Sequence, residues 1–244
     1  MENKGIRLQK FLSECGIASR RRSAQYIRGK RVSVNTKVIT EPGTRIDPAK
    51  DHVEFDGRPI TQQGETHRTI IFYKPRGYVC SSSGQGSQTI YDLINNIKQR
   101  LVPAGRLDKN SEGLLLMSND GELINRLTHP RFQHEKVYKV TVSGNVNSAV
   151  LKKMKSPLMI DGYRTRPVKV RVLKENDHKN QPEKYILEFV LKEGRKRQIR
   201  HICEQAGLKV HRLTRVKIGN LSLTGLRSGQ WRDLTDEELK KLVK

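Results

Sequence analysis

The sequence predicts an α+β protein with a small N-terminal α/β module and a larger domain built on a mixed, mostly antiparallel sheet. Several segments alternate apolar and polar residues, as half-buried antiparallel strands do. Amphipathic helical segments are interspersed among these strands, and a polar stretch, TQQGETHR at 61–68, divides the chain. We therefore expect the small module at residues 1–62, a linker at 63–68 and the large domain at 69–244.

The small module begins with two predicted helices. Leu8, Phe11 and Leu12 have helical spacing, Gly16 is placed to end the first helix, and Ser19 is placed to cap the second. Val32 and Val34 then alternate with polar residues before a predicted Asn-Thr-Lys hairpin turn at 35–37.

The second helix carries a basic cluster. Between positions 20 and 31 there are six Lys or Arg residues and no acid. Such a run is either a solvated helix face or a phosphate-binding surface, and the absence of interleaved acids favours the second, because solvated helices usually mix charge signs. The predicted RNA-binding residues of this cluster are Arg20, Arg21, Arg22, Arg28, Lys30 and Arg31.

The large domain is expected to start with a buried strand at 70–72. The KPRG turn at 74–77 leads to a predicted returning strand at 78–80, and residues 90–97 have helical apolar spacing. A second buried strand is predicted at 114–117.

Further elements follow in order. Asp120 is placed to cap a helix that Pro130 would end, and KVYKVTVSG alternates as a strand. Strands VKVRVL and YILEFVL form a predicted hairpin around the polar loop 174–183. An apolar stripe starting at Ile199 marks a helix ended by Gly207, and Thr235 with Glu238 matches a capping box.

Composition indicates a polyanionic partner. Lys and Arg number 48 against 25 Asp and Glu, which gives a formal net charge of +23. Nucleic acid is the leading candidate. No stretch approaches the roughly 18 apolar residues of a spanning helix, and the first residues lack the apolar core of a signal peptide, so we expect a cytoplasmic protein without membrane association.

The usual signatures of cofactor and metal sites are missing from the sequence. Three widely spaced cysteines offer neither a disulfide framework nor metal-ligand spacing. There is no Walker-type phosphate loop and no GxGxxG, HExxH or GxSxG motif. We therefore expect no cofactor, no nucleotide and no metal.

Two resemblances make the interpretation specific. The stretch RLQKFLSECGIASRRRSAQYIRGKRVSVNTKVI resembles the small RNA-binding domain named after ribosomal protein S-four, over about residues 6 to 60. The motifs YKPRGY, GRLD, HEKVYKV and LKEGRKRQIR resemble, in the same order, those of ribosomal RNA pseudouridine synthases of the RsuA/RluB/RluF type. This resemblance implies the fold of those enzymes and isomerisation of uridine to pseudouridine, which needs neither a redox cofactor nor a metal.

The resemblance also implies roles for individual residues. Asp108, in GRLD, corresponds to the catalytic aspartate, Tyr138 to the aromatic residue that stacks on the target base, and Arg200 to the arginine that pairs with the aspartate. Arg106 resembles the arginine that fills the space left by the flipped base, although a salt bridge to a nearby acid is an equal alternative. Arg195, Lys196 and Arg197 are candidates for phosphate contacts.

Taken alone, each of these residues has an ordinary interpretation. An Asp in R-L-D-K-N is typical of a turn, a Tyr in an alternating strand is typical of sheet packing, and an Arg in RKRQIR is typical of a basic surface. The expected partner is ribosomal RNA, folded or partly assembled, and the expected enzyme is a monomer. Of the two ribosomal subunits, the large one is favoured as the source of the modified RNA. The alternative is a non-catalytic RNA-binding or ribosome-assembly factor with the same architecture. A tRNA synthetase carrying the same small module would show HIGH and KMSKS signatures, which are absent.

Overall fold

The computed structural model of the chain describes residues 5–61, 67–176 and 184–243. It contains two compact units, residues 1–67 and 68–244. Most of the predicted linker, and the part of the predicted loop 174–183 beyond residue 176, lie outside the described residues. Within the described ranges, no helix has the length and apolar character needed to cross a bilayer.

The smaller unit has two helices and two small sheets. Strands β1 and β4 pair, and a four-stranded sheet has the order β3-β2-β5-β6. In chain order, the elements are β1 (Ile6–Arg7), α1 (Leu8–Glu14), α2 (Arg20–Arg28), β2 (Val32–Val34), β3 (Lys37–Val38), β4 (Arg45–Ile46), β5 (Val53–Phe55) and β6 (Arg58–Ile60).

Local signals account for the helices of this unit. The Ser19 side chain accepts a hydrogen bond from the Arg22 amide, which caps α2. Leu8, Leu12 and Ile27 are fully buried and join the two helices to the apolar residues of β2 and β5. The hairpin turn between β2 and β3 has both central residues in the left-handed region, as a tight primed turn requires.

The larger unit is built on one extensive sheet. Its strands are β7 (Thr69–Lys74), β8 (Val102–Pro103), β9 (Glu112–Ser118), β10 (Lys136–Ser143), β11 (Met159–Ile160), β12 (Tyr163–Arg164), β13 (Lys169–Asn176), β14 (Lys184–Leu191), β15 (Lys209–Ile218), β16 (Leu221–Ser222) and β17 (Trp231–Asp233). Its helices are α3 (Gly121–Thr128), α4 (Ser148–Lys155), α5 (Gln198–Gln205) and α6 (Asp236–Val243).

The main path of the sheet has the order β13-β14-β10-β15-β9-β7-β17, with β16 beside β15 and β8 beside β9. The pairing of β9 with β15 is parallel, and the other pairings in this sheet are antiparallel. The predicted α+β class with a mixed, mostly antiparallel sheet is confirmed. A small separate hairpin joins β11 and β12.

Helices and one irregular segment cover the middle of the sheet. The apolar stripe of α5 packs on β10 and β14, while α3 and α6 pack on one face of β7 and β9. The other face of β7 and β9 is covered by the segment around Ile90 and Ile94. Burial on both faces explains why these two strands are continuous apolar runs.

Gly113 allows the parallel contact between β9 and β15. It has φ +110°, and a Cβ there would lie 2.2 Å from the carbonyl oxygen of Arg215. Only glycine combines this conformation with such a close approach. The turn that precedes β9 is therefore fixed beside β15.

Two predicted elements are wrong. Residues 78–80 form no returning strand: Val79 instead makes an isolated bridge with Thr89, because β7 already has β9 and β17 on its two sides. The predicted helix at 90–97 is a single 3-10 turn, Ile90–Leu93, closed by a capping box of Thr89 and Asp92. The helix caps at Asp120 and at Thr235 with Glu238 are confirmed.

Candidate active site

The larger unit contains a cavity of about 350 Å³ between the turn before β9, the strands β10 and β15, and the segment that leads into α5. Seven residues predicted from the sequence line it together, although they come from three separate stretches of the chain. They are Arg106, Asp108, Tyr138, Arg195, Lys196, Arg197 and Arg200.

The backbone around Asp108 is held from both sides. Before it, the buried Leu107 exchanges contacts with Cys80: the thiol donates to the Leu107 carbonyl at 3.4 Å, and the Leu107 amide donates to Sγ at 3.5 Å. After it, the Ser111 amide donates to the Asp108 carbonyl at 3.0 Å and closes a turn. The half-buried Asp108 side chain is therefore presented on a fixed loop at the cavity wall.

Lys74, at the end of β7, anchors this turn and had no role predicted from the sequence. It is fully buried, and its Nζ donates to the carbonyls of Pro75 (2.8 Å), Asp108 (3.2 Å) and Ser111 (2.8 Å). Burial lowers the pKa of Lys74 to about 8, and nearby Cys80, Asp108 and Glu112 oppose this effect. Three backbone acceptors satisfy the ammonium and fix the Asp108 carbonyl.

Tyr138 lies on β10 with only 8% of its surface exposed. Across the sheet it stands opposite Arg215 of β15. Arg215 is 3% exposed, lines the same cavity, and donates through Nε to the Leu114 carbonyl at 2.7 Å. The ring and the guanidinium are thus neighbours in one wall.

Arg200 projects from α5 beside the buried Ile199 and reaches the cavity. Its Nη2 donates to the carbonyl of Asn110 at 2.8 Å. Burial lowers the pKa of Arg200, the neighbouring Arg197 adds to this effect, and Asp108 opposes it. The arginine is therefore tied to the same turn that carries Asp108.

The expected direct pairing of Arg200 with Asp108 is wrong as a description of this structure. Among the residues that the structure describes, no ion pair of 4.0 Å or less joins the two side chains. The physical reason is that the Arg200 guanidinium donates to a backbone carbonyl two residues beyond Asp108. The two groups share a cavity and interact electrostatically without contact.

The cavity wall contains unused hydrogen-bond donors. Ser111 Oγ, Arg200 Nε and Arg215 Nη2 are buried and have no hydrogen-bond partner within the described ranges. A buried donor left unpaired costs about 1–3 kcal/mol, so a wall with three of them favours a ligand rich in acceptor oxygens. Lys136 adds an ammonium whose pKa is lowered to about 8 by burial and by the nearby Arg215.

Arg106 and the basic residues before α5 lie at the exposed part of the lining. In the part of the chain that the structure describes, no acid lies within 4.0 Å of the Arg106 guanidinium, so the alternative of a salt bridge finds no support. The Arg195 guanidinium lies 3.4 Å from the centroid of the Tyr163 ring.

In the smaller unit, the six predicted basic residues differ in their surroundings. Arg20, Arg21 and Arg28 line a shallow concavity of about 300 Å³ on α2. Arg22 donates to Gln25 at 3.0 Å, while Arg31 forms a bidentate pair with Asp56. Lys30 is exposed and has φ +60° just after the helix.

Sequence reasoning passed over Lys74, Ser111, Lys136 and Arg215. Lys74 lies in the motif YKPRGY and Lys136 lies in HEKVYKV. These motifs could therefore have identified both lysines as candidate site residues. Arg215 lies in KVHRLTRVKI, a segment with several other basic residues, so the sequence does not indicate that this arginine is buried. Ser111 is one of several polar residues in a turn.

Comparisons with known proteins follow the same two units. The family described as RNA pseudouridylate synthase matches residues 68–205, and the S4 domain matches residues 6–53. The chain is 41% identical, over 98% of its length, to an uncharacterized RNA pseudouridine synthase of Aquifex aeolicus, 94% of which is covered.

Two relatives have more specific names. The chain is 36% identical over 97% of its length to ribosomal large subunit pseudouridine synthase B of Bacillus subtilis, with 95% of that protein covered. It is also 36% identical over 100% of its length to the dual-specificity RNA pseudouridine synthase RluF of Escherichia coli, with 80% covered. A solved structure described as a pseudouridylate synthase superposes with a TM-score of 0.67 at 29% identity, covering 98% of this chain and 100% of the other.

Proposed function

Because the chain belongs to the RNA pseudouridylate synthase family and is a pseudouridine synthase of ribosomal RNA, we propose that it isomerises specific uridines of large-subunit RNA through Asp108. The observation that carries the proposal is the convergence of Asp108, Tyr138 and Arg200 on one cavity. The name of the relative from Bacillus subtilis supports the large-subunit assignment.

The reaction is a rearrangement within one nucleotide. The bond between N1 of uracil and C1′ of the sugar breaks, the ring turns, and C5 forms a new bond to C1′. The hydrogen on C5 leaves as a proton and N1 gains one, so that atoms and electrons balance without an external oxidant or reductant. The protein must supply a carboxylate, a holder for the detached base and a route for the proton.

Asp108 supplies the carboxylate. Attack on the sugar carbon, addition to the base ring and removal of a sugar proton are three routes for it, and all three require the ionised form at this position. The guanidinium groups of Arg200 and Arg215 line the same cavity as this carboxylate. Lys74 holds the backbone of the loop, which keeps the carboxylate in reach of the bond that breaks.

Tyr138 offers a flat ring to the uracil and a hydroxyl near the turning base. The unused donors of Ser111 and Arg215 suit the carbonyl oxygens of uracil and the negative charge that develops on the ring as it detaches. The target uridine must leave its stack to enter, at a cost of a few kcal/mol. We assign Arg106, an exposed residue of the lining, to the space that the base vacates.

The experiment is direct mapping of product. Purified full-length chain is incubated with unmodified ribosomal RNA transcripts, with chelator and without added cofactor, and pseudouridines are located by carbodiimide-blocked primer extension. We expect product in large-subunit RNA with the native chain and none with Asp108→Asn, which should still bind the RNA.

The outcomes against the proposal are distinct. Product from Asp108→Asn would refute the role of this carboxylate. Product in small-subunit RNA alone would refute the large-subunit assignment. A native chain that binds RNA without forming product would support a non-catalytic assembly factor, and a strict metal requirement would indicate a different reaction.

A further inference from the structure

A second cleft of about 190 Å³ adjoins the cavity that holds Asp108. The two share part of their lining, which forms a boundary between them and consists of Leu127, Thr128, Lys136, Gly194 and Arg195. Two of these five residues are cations. Any chain that enters the first cavity and continues into the second must cross this boundary.

Two cations of this cleft, Lys136 and Arg195, have no acidic partner in the part of the chain that the structure describes. Lys136 donates only a 3.3 Å hydrogen bond to the His134 carbonyl, and within the described ranges neither Lys136 nor Arg195 has an acid within 4.0 Å. The acid of the lining is Glu193. Its oxygens already accept from the Arg166 amide, the Gln198 amide group and the Tyr163 hydroxyl.

The cleft also contains a stacking platform. The Arg195 guanidinium lies 3.4 Å from the centroid of the Tyr163 ring, and Glu193 holds the Tyr163 hydroxyl at 3.3 Å. Arg195 is exposed, while Tyr163 is half-buried. Guanidinium planes and aromatic rings are the surfaces on which unstacked bases of RNA lie.

Two neighbouring nucleotides of an RNA strand could occupy the two adjoining cavities. If the target uridine occupies the first cavity, its neighbour along the strand lies within one phosphodiester of it. We propose that the second cleft binds the nucleotide adjacent to the target, with its base on the Arg195–Tyr163 stack and the joining phosphodiester on Lys136. This inference rests on the proposed function and deepens it, because it makes the enzyme sensitive to an unpaired neighbour on one side of the target.

The test couples a change in the RNA to a change in the protein. The substrate is an RNA hairpin centred on the uridine found by product mapping, and in two variants the base on one or the other side is removed while its phosphate remains. For the native chain, we expect loss of one of these bases to lower kcat/KM roughly tenfold, in the range of stacking on an aromatic or guanidinium plane.

Two substitutions at one position separate stacking from charge. In Arg195→Ala and Arg195→Lys, kcat/KM on the same abasic RNA should be no more than about twofold lower than on the intact RNA. The reason is that neither replacement side chain offers a planar surface to the base. Arg195→Lys should keep the higher affinity of the two. Lys139→Ala serves as the control, since this exposed lysine is on β10 three residues from Lys136 and lines neither cavity.

A tenfold loss that persists in both Arg195 variants, or no loss with either abasic RNA, would overturn the inference.

A second measurement is independent of catalysis. The full-length Asp108→Asn chain is irradiated on ribosomal RNA transcripts containing 4-thiouridine, and crosslinks to the tryptic peptide 156–164, which holds Tyr163, are sought by mass spectrometry.

We expect this crosslink in Asp108→Asn and its loss when Arg195→Ala is added. Its absence would overturn the subsite even if the native chain forms pseudouridine. If the native chain forms none, the proposed function fails, and the crosslink then decides the subsite by itself.

Discussion

The cations on α2 of the smaller unit and those that hold the Asp108 turn in the larger unit differ in their exposure to water. On α2 of the smaller unit, Arg20, Arg21 and Arg28 are exposed on a shallow surface. In the larger unit, Lys74 is fully buried and Arg200 is half-buried, and burial lowers the pKa of both. Exposed charges attract a polyanion over a distance that salt shortens, whereas buried charges act on the few atoms they contact.

From this comparison we predict that RNA binding and the chemical step can be altered separately in this protein. Neutralising exposed arginines should change affinity and its salt dependence, while changes in the cavity should alter the rate of the chemical step. The following predictions are ordered by their expected effect on that step.

Asp108→Asn should have the largest effect. Removing the ionised carboxylate should lower the single-turnover rate at saturating RNA by at least about 10⁴-fold, as losses of catalytic nucleophiles do. Asp236→Asn is a matched control, since this exposed acid in the first turn of α6 lines no cavity described above. A loss of less than about tenfold in Asp108→Asn would break the assignment.

Lys74→Met should come next. The substitution removes the ammonium donor from three backbone carbonyls and loosens the turn that carries Asp108, so we expect a rate loss of about 10²-fold. The free energy of unfolding, measured by urea titration, should fall by about 1–3 kcal/mol. An unchanged rate in a folded variant would show that the turn does not need this anchor.

The pH profile should distinguish Lys74 from Lys136. Both have a pKa lowered to about 8 from the usual 10.5, so each loses its charge as pH rises through 8. Loss of the Lys136 charge should raise KM for RNA a few-fold between pH 7 and 9, and Lys136→Arg, which stays charged, should abolish that rise.

We also expect kcat to decrease between pH 7 and 9, because Lys74 loses the charge that holds the Asp108 turn. This decrease should remain in Lys136→Arg, because Lys74 still titrates. The stability of the fold should respond to pH in the opposite direction. Between pH 8 and 10.5 the unfolded chain binds more protons at these two positions, so their contribution to the unfolding free energy rises with pH. A KM that rises equally in the native chain and in Lys136→Arg would contradict the assignment to Lys136.

The triple substitution Arg20→Ala, Arg21→Ala, Arg28→Ala should have the smallest effect on the chemical step. We expect an unchanged single-turnover rate at saturating RNA. The slope of log affinity against log salt should become shallower by about 2–3, close to one unit for each lost phosphate contact. An unchanged slope would mean that this basic face of α2 is only solvated surface.

Elements with local signals were predictable from the sequence. The caps at Ser19, Asp120 and Thr235 depend on side chains within three residues of the amides they bind. The strand β15 was not predicted, because its buried positions include Arg215, which interrupts the apolar alternation. The supposed strand at 78–80 failed because strand pairing depends on distant neighbours.

The sequence predicted which residues line the candidate site better than it predicted the contacts that these residues make. The motif resemblance located Asp108, Tyr138 and Arg200, and the fold brings them to one cavity. The Arg200 contact with the Asn110 carbonyl and the anchoring by Lys74 involve backbone acceptors far along the chain. Such contacts have no counterpart in local residue patterns.

The most direct test of the central claim measures affinity and rate on the same RNA for the native chain, Asp108→Asn and the triple arginine variant. We predict that Asp108→Asn keeps the native affinity and salt slope but forms no pseudouridine, while the triple variant keeps the native rate at saturating RNA with weaker, less salt-dependent binding. Pseudouridine formed by Asp108→Asn at a rate near that of the native chain would contradict the account.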